Sequence, residues 1–417
     1  MLGETRAYKA DPHKFVEDRK KRYGPIFKTV VLNQPCVHLT GDHAKIILKM
    51  PNVGWPSHWL DLLGKTSVSA INGPRHKLQR IITGAAFTDA ALERYLPAVE
   101  RLTYEHLERW AQMSKAGPFD PAMVIKAYTF DIAEQVLLGT SIRLGGLMST
   151  FTEWTGGLEV SVPFNLPFLK YGRAMRARKT LLTEYQRIID EKHASADSNA
   201  RDMLSLVMNE GQRGEPMTNE ELLDFSLTIQ FAGHDTTKST IQTLLYFLDA
   251  KPAIRKELEE ELSAIYDGSA PLTYKQVQAC QDGKCGRFIS EVMRAIPAVN
   301  TLFREVVEDM EIEGYLIPKG WKVAASLSEV QQINDPLDID MSNDHKSMRV
   351  LENCPFGLGN RMCLGYRFGK FELMVWLMCI LSKYSVAVTK SQLVPFLFHY
   401  VAVQVAITSK ASPMPAS

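Results

Sequence analysis

Cys363 closes the run Phe356-Gly357-Leu358-Gly359-Asn360-Arg361-Met362-Cys363-Leu364-Gly365, and a helical pattern follows from Tyr366 to Ser382. Glycine admits backbone geometries closed to residues with a Cβ, so Gly357 and Gly359 let the chain approach a partner closely. This placement predicts Cys363 in the first turn of a helix, where unpaired N–H groups and the helix dipole favour a thiolate. Arg361 adds a fixed cation with planar donors. A thiolate held in this way is a soft-metal ligand, and the cation beside it can bind an acidic group. The bland reading is a buried cysteine at a helix start.

A second stretch breaks local rules. Thr218 to Asp249 reads as one helix about 48 Å long, opened by a Thr218/Glu221 capping box. Its centre, Ala232-Gly233-His234-Asp235-Thr236-Thr237, contains poor helix formers. Such breaks mark functional sites. Gly233 leaves room for a ligand, and a threonine hydroxyl can bond the carbonyl one turn back and open the ladder to water. His76 and Arg80 share one helix face, as do Glu291 and Arg294. Alone, these spacings are weak signals, common on exposed helices.

The elements that must carry these residues are mostly helical. Apolar residues recur at three and four over Ala90–Met113, Ala122–Leu138, Met175–His193 and Arg201–Asn209. Asp11-Pro12 opens an earlier helix that Gly24-Pro25 stops. Asp42–Met50 and Lys251–Tyr266 read as helices, and 267–286 as loop with one short helix. Residues 26–31 with 36–39, 310–323, 384–388 and 400–407 read as strands. The apolar stretch 51–72 reads as irregular, packing on the core or walling a substrate pocket. Residues 160–169 contain two prolines, which exclude a regular helix. They suit a lid, a lipid-touching patch or a plain packing loop.

Composition sets further bounds. Net charge is +1 and 23% of residues are charged, so bulk nucleic-acid binding is not indicated. The basic groups at 19–22 and 173–179 read as solvated helix faces. The six cysteines show no disulfide or zinc spacing, which fits a reducing compartment. No apolar stretch reaches the ~20 residues of a membrane span. The expected location is the cytoplasm, or the cytosolic face of the endoplasmic reticulum if an anchor precedes this chain. Residues 411–417 read as a disordered tail.

The decapeptide resembles the haem-binding loop of the cytochrome P-450 family: Phe, two residues, Gly, one, Arg, one, Cys, one, Gly. The bond from that cysteine to haem iron is known chemistry of the family. Ala232 to Thr237 resembles the family's oxygen-site hexapeptide, and Glu291-x-x-Arg294 its structural helix. The Ile317-Pro318-Lys319-Gly320 turn between strands also matches. The resemblance runs from Gly3 to about Ile407 and implies one domain over 1–410, mainly α with a small β-rich lobe. Haem b would lie between the long central helix and the helix after Cys363. Cys363 would ligate iron, with Phe356 and Gly365 shaping its loop. His76, Arg80, Arg304 and Arg361 would hold the propionates. Ala232 and Gly233 would line the oxygen pocket, and Asp235 and Thr236 would manage proton supply. His234 takes the variable position, with no catalytic role and a solvent- or loop-facing side chain. Ala298 to Phe303 would cross the haem face. Glu291 and Arg294 would form a buried structural pair, with Arg349 as a candidate third member. Residues 330–354 depart from the family's pattern, keeping Asp335-Pro336 and losing the Pro-x-Arg-Phe core.

The reaction implied is monooxygenation of a small apolar substrate by a monomer, using dioxygen and electrons from a flavoprotein reductase or a ferredoxin. The opening sequence looks most similar to the branch acting on sterols, brassinosteroids, abscisate and retinoids, so a lipid-like substrate is expected. Two alternatives are a haem-thiolate binding protein without oxygenase activity and a haem-thiolate isomerase or dehydratase. The second tends to lose the acid–alcohol pair, which is present here.

Overall fold

Long amphipathic helices bury one face each, and the widest of them buries nearly all of its surface. The computed structural model describes residues 3–31, 34–52, 55, 57–140, 146–160, 163–195, 201–211, 215–331, 333, 335–342, 354–394 and 400–410. The central helix spans Asn219–Ala250. Both halves of its capping box form: Thr218 Oγ1 accepts from the Glu221 amide at 3.2 Å, and the Glu221 carboxylate accepts from the Thr218 amide at 2.8 Å. Leu222, Phe225, Leu227, Leu244, Phe247 and Leu248 join the main core, together with Leu373 to Leu381 of the Tyr366–Lys383 helix. The Tyr366–Lys383 helix, apolar on nearly every side, belongs in the interior, and the central helix packs against it there.

A β-rich lobe with its own small cores sits beside the helices. Its sheet has the order β1-β2-β6-β3: β1 (Ile26–Val31), β2 (Gln34–Leu39), β6 (Lys322–Ser326) and β3 (Thr301–Glu305). The β2–β6 pair is parallel and the other two are antiparallel. Between β3 and β6 lies a hairpin of β4 (Met310–Ile312) and β5 (Tyr315–Ile317), turned by Glu313 and Gly314 at positive φ. The hairpin of β7 (Tyr384–Val394) and β8 (Tyr400–Ser409) follows the last helix. The Cys363 loop bridges the cores, since Phe356 and Leu364 pack on the helical one and Leu358 on the β-lobe one.

Several expectations need correction. Residues 51–72 are not wholly irregular: Ser57–Leu63 is a helix ended by Gly64 in the left-handed region. Residues 267–286 hold the one short helix expected, Tyr274–Asp282, opened by a Thr273/Gln276 capping box, but they also contain the start of the Lys284–Ala295 helix. The helix from Ala122 stays α only to Ile132 and widens to a π turn over Ala133–Leu137. Residues 42–50 divide into a 3-10 turn, Gly41–Lys45, and a short helix, Ile46–Lys49. Asp11 caps the Pro12–Tyr23 helix as read, accepting from the Lys14 amide at 2.9 Å. Arg349, the tail at 411–417 and most of the turn after Val394 lie outside the described residues.

Candidate active site

The Cys363 loop is shaped by backbone bonds. Gly357 and Gly359 have φ of 70° and 68°, where a Cβ strains the chain. A Cβ on Gly359 would also come within 3.0 Å of the Leu48 carbonyl. The Cys363 amide donates to the Phe356 carbonyl at 2.9 Å, and the Met362 amide to Gly359 at 3.1 Å. Phe356 leans on Tyr366, with ring centroids 6.2 Å apart.

One expectation about Cys363 fails. The following helix begins at Tyr366 with Gly365 as its N-cap, so Cys363 precedes the first turn. Its thiol is not pulled below the ordinary range. Burial pushes its pKa up, against smaller opposing effects from the Gly365 amide and from Arg80. Cys363 nevertheless keeps an exposed surface. Accessible on one side and desolvated by its surroundings, the sulfur would need a cation on its open side to rest as a thiolate.

Four basic side chains gather beside it. Arg80 Nη1 donates to the Met362 carbonyl at 2.9 Å. Arg361 Nε donates to Pro51 O at 2.7 Å, and its Nη2 to Ile71 O at 2.8 Å. Arg304, 6% exposed, donates to Phe303 O and Met50 O at 2.8 and 3.3 Å. Burial holds the pKa of Arg304 and Arg361 down to about 10, and Arg304 and Arg80 also depress Arg361. His76 is buried and pushed down to about 4, by desolvation first and then by Arg361 and Arg80. Among the described residues, none of the three guanidiniums pairs with a carboxylate. Arg304 is buried and Arg80 and Arg361 are half-buried, and desolvated cations without a counter-charge are costly. The cluster therefore fits a ligand with two acidic groups, as haem has.

The middle of the central helix opens on one stripe. Ala232 is exposed and Gly233 and Thr236 are half-buried, while residues 224–230 and 237–245 are buried. A Cβ on Gly233 would meet only Leu137, at 3.7 Å. Thr236 Oγ1 donates to the Ala232 carbonyl at 2.5 Å, the back-bond anticipated from sequence, although the helix stays continuous. Asp235 is buried and pairs with Lys126 Nζ at 3.4 Å. No hydrogen bond joins it to Thr236 among the described residues. Lys238, above the Tyr400 ring at 3.8 Å, is pushed down to about 8 by burial, with Asp235 acting against that. His234 does not face solvent. It is 1% exposed, its Nδ1 lies 2.8 Å from Thr129 Oγ1, and Phe151 packs edge-on at 5.2 Å. The helix turns it toward the neighbouring Ala122–Ile132 helix rather than outward.

Glu291 and Arg294 form a bidentate pair at 2.6 and 2.7 Å, with Glu291 fully buried. The Asp340 amide donates to Glu291 at 2.9 Å. Gln331 spans from the Arg294 carbonyl at 3.4 Å to the Cys354 amide at 3.0 Å, just before the Cys363 loop. Sequence reasoning missed Lys126, Lys238, Asp340 and Gln331. Each reaches its partner across the fold, so no local spacing announces it.

Residues 2–410 match the family described as Cytochrome P-450. The chain belongs to that family. It is 30% identical over 411 residues to ent-kaurenoic acid oxidase 1 of Arabidopsis thaliana, spanning 93% of this chain and 83% of that protein. It is 29% identical over 399 residues to abscisic acid 8'-hydroxylase 1 of the same plant, at 92% and 83%. The retinoic acid-bound cyanobacterial CYP120A1 superposes with a TM-score of 0.86 at 26% identity, covering 98% and 97% of the two chains. This cytochrome P-450 is thus a monooxygenase whose cofactor is haem b with a cysteine thiolate as axial ligand. Electrons reach it from a redox partner, and dioxygen is its co-substrate. No helix among the described residues is long and apolar enough to cross a membrane.

Proposed function

We propose that Cys363 is the axial ligand and that Arg80, Arg304, Arg361 and His76 hold the propionates. The single observation that carries this is the set of one buried and two half-buried guanidiniums, without carboxylate partners among the described residues, beside an accessible, desolvated cysteine. When bound, haem supplies oxygen activation and C–H oxidation. The chain does the rest. The Gly357–Gly359 turn fixes the sulfur. Ala232 and Gly233 leave space on the opposite side. Glu291 and Arg294 brace the backbone behind the loop.

Asp235 and Thr236 manage protons. Lys126 pairs with the Asp235 carboxylate at 3.4 Å, and the half-buried Thr236 hydroxyl, bonded to the Ala232 carbonyl, belongs to the open stripe. Proton delivery by a positioned group contributes about 10²–10⁴-fold to such steps.

The substrate is an apolar, isoprenoid-like carboxylic acid. Two similar enzymes are named for acting on kaurenoic and abscisic acids, and the similar structure holds retinoic acid. Residues 1–410 form one domain and act as a monomer. A flavoprotein reductase or a ferredoxin donates electrons, in the cytoplasm or at the cytosolic face of the endoplasmic reticulum. The spectrum of the reduced carbonyl complex tests the ligation: a strongly red-shifted Soret band is expected, and Cys363→Ser should abolish it. A Soret at the position of histidine-ligated haem would overturn the reading. A spin-shift screen with retinoic, abscisic and kaurenoic acids tests the substrate class.

A further inference from the structure

The polar stripe of the central helix does not begin at Ala232. Glu221, Asp224 and Thr228 continue it toward the N-terminus, at the three- and four-residue spacing of one face. A short strap, residues 64–72, covers that half. Asp224, 2% exposed, is its anchor. Its carboxylate accepts from the Thr66 amide at 3.1 Å, the Thr66 hydroxyl at 2.6 Å and Arg178 Nη2 at 2.8 Å. Arg178 comes from the Lys170–Ser195 helix and also donates to the Leu62 carbonyl at 2.9 Å. Gly64 has φ of 98°, and a Cβ there would overlap the Asp224 carboxylate. Glycine is thus required both by the turn and by how closely the acid approaches.

The strap then touches both sides of the proposed haem site in consecutive residues. Ser67 Oγ lies 2.8 Å from Thr228 Oγ1 on the central helix, one turn before Ala232. The Val68 and Ile71 carbonyls accept from Arg361 at 3.5 and 2.8 Å, two residues from Cys363. A segment tied at one point to the central helix and at the next to the cysteine loop closes one edge of the space between them.

We propose that Asp224 is a positioning residue: by clasping Thr66 and Arg178 it holds the 64–72 strap across that edge, and so sets how tightly an apolar molecule is enclosed. This rests on the haem-site reading above. The Asp224 carboxylate bonds to Thr66 and Arg178 and acts through the strap. The clasp is charge-assisted and buried, so loss of the charge opens the strap without emptying the site.

The test compares the full-length holoprotein with Asp224→Asn, which keeps shape and loses charge. Amide exchange over 64–72 should quicken by about tenfold or more. Release of 4-phenylimidazole from the haem should quicken in step, with the reduced carbonyl Soret unmoved. Gly64→Ala, with the acid intact, should reproduce the effect, and Thr66→Ser should restore wild-type behaviour where Thr66→Val does not. Wild-type strap exchange and ligand release in Asp224→Asn, with only thermal stability lowered, would overturn the proposal. Should that variant fail to fold, unchanged exchange and release in both Gly64→Ala and Thr66→Val would do the same. Strap exchange is also read on haem-free protein, so a wild type lacking the red-shifted band sinks the haem reading and leaves the clasp separately judged.

Discussion

Asp235, itself buried, and Lys126 form an ion pair at 3.4 Å. Removing the acid removes the exchangeable proton, and removing the lysine leaves an acid without its partner. Asp235→Asn should lower turnover by about 10²-fold, and Lys126→Met should lower it less. Neither should move the reduced carbonyl spectrum, and peroxide released per electron pair should rise in both. His234 allows a different test. Burial holds its pKa at about 4 against an ordinary 6.5. A base depressed in the folded state favours the unfolded chain as pH falls, because the unfolded chain takes the proton first. Stability should therefore be flat above about pH 6.5 and fall toward pH 4, His234 contributing on the order of 2 kcal/mol at pH 5. Urea midpoints at pH 7 and 5 measure it, and His234→Gln should flatten the slope. At this scale the sequence spoke clearly only where residues lie close in the chain. Cys363, Arg361, Thr236 and the Glu291/Arg294 spacing were legible from local pattern. The protonation of Cys363 was not, because its desolvation comes from distant packing.

At the scale of elements, the Lys284–Ala295 helix shows how a weak signal becomes a strong contact. On an exposed helix a Glu-x-x-Arg spacing is worth a few tenths of a kcal/mol. Here Glu291 has no exposed surface, and the Asp340 amide adds a further bond to its carboxylate. Breaking one partner of such a pair costs about 3–5 kcal/mol. Glu291→Gln should lose roughly that stability in chemical denaturation and should release haem faster, because Gln331 links the same helix to the start of the cysteine loop. Helices with sustained periodicity were legible nearly to the residue, as the Asn219–Ala250 and Tyr366–Lys383 helices show. The short Ser57–Leu63 helix was not, because seven residues between Pro56 and Gly64 give too little period to distinguish from loop.

For the whole molecule, the helical core and the β lobe meet at the cysteine loop, and the unpaired cations gather at that seam. A fold that gathers like charges for an acidic ligand gains stability when that ligand binds. Arg304→Met should raise the stability of haem-free protein by about 1 kcal/mol and weaken haem retention. Melting of apo and holo forms, with haem transfer to apomyoglobin, would show opposite signs. A gain or a loss in both measurements would refute this. Mixed α and β content was readable from alternating patterns, but the parallel β2–β6 pairing joins segments far apart in the chain. No single-sequence pattern specifies such a contact.

The turn at Gly357 and Gly359 takes its form from glycine conformations and main-chain bonds, braced by Arg80 on the Met362 carbonyl. Within the proposed site, the Cys363 sulfur would be the loop's one metal-facing group, while the nearby arginines would address only the ring's carboxylates. Manganese or cobalt protoporphyrin should therefore still seat, held by the same arginines. Any difference in its retention from the natural pigment would report the bond from that sulfur.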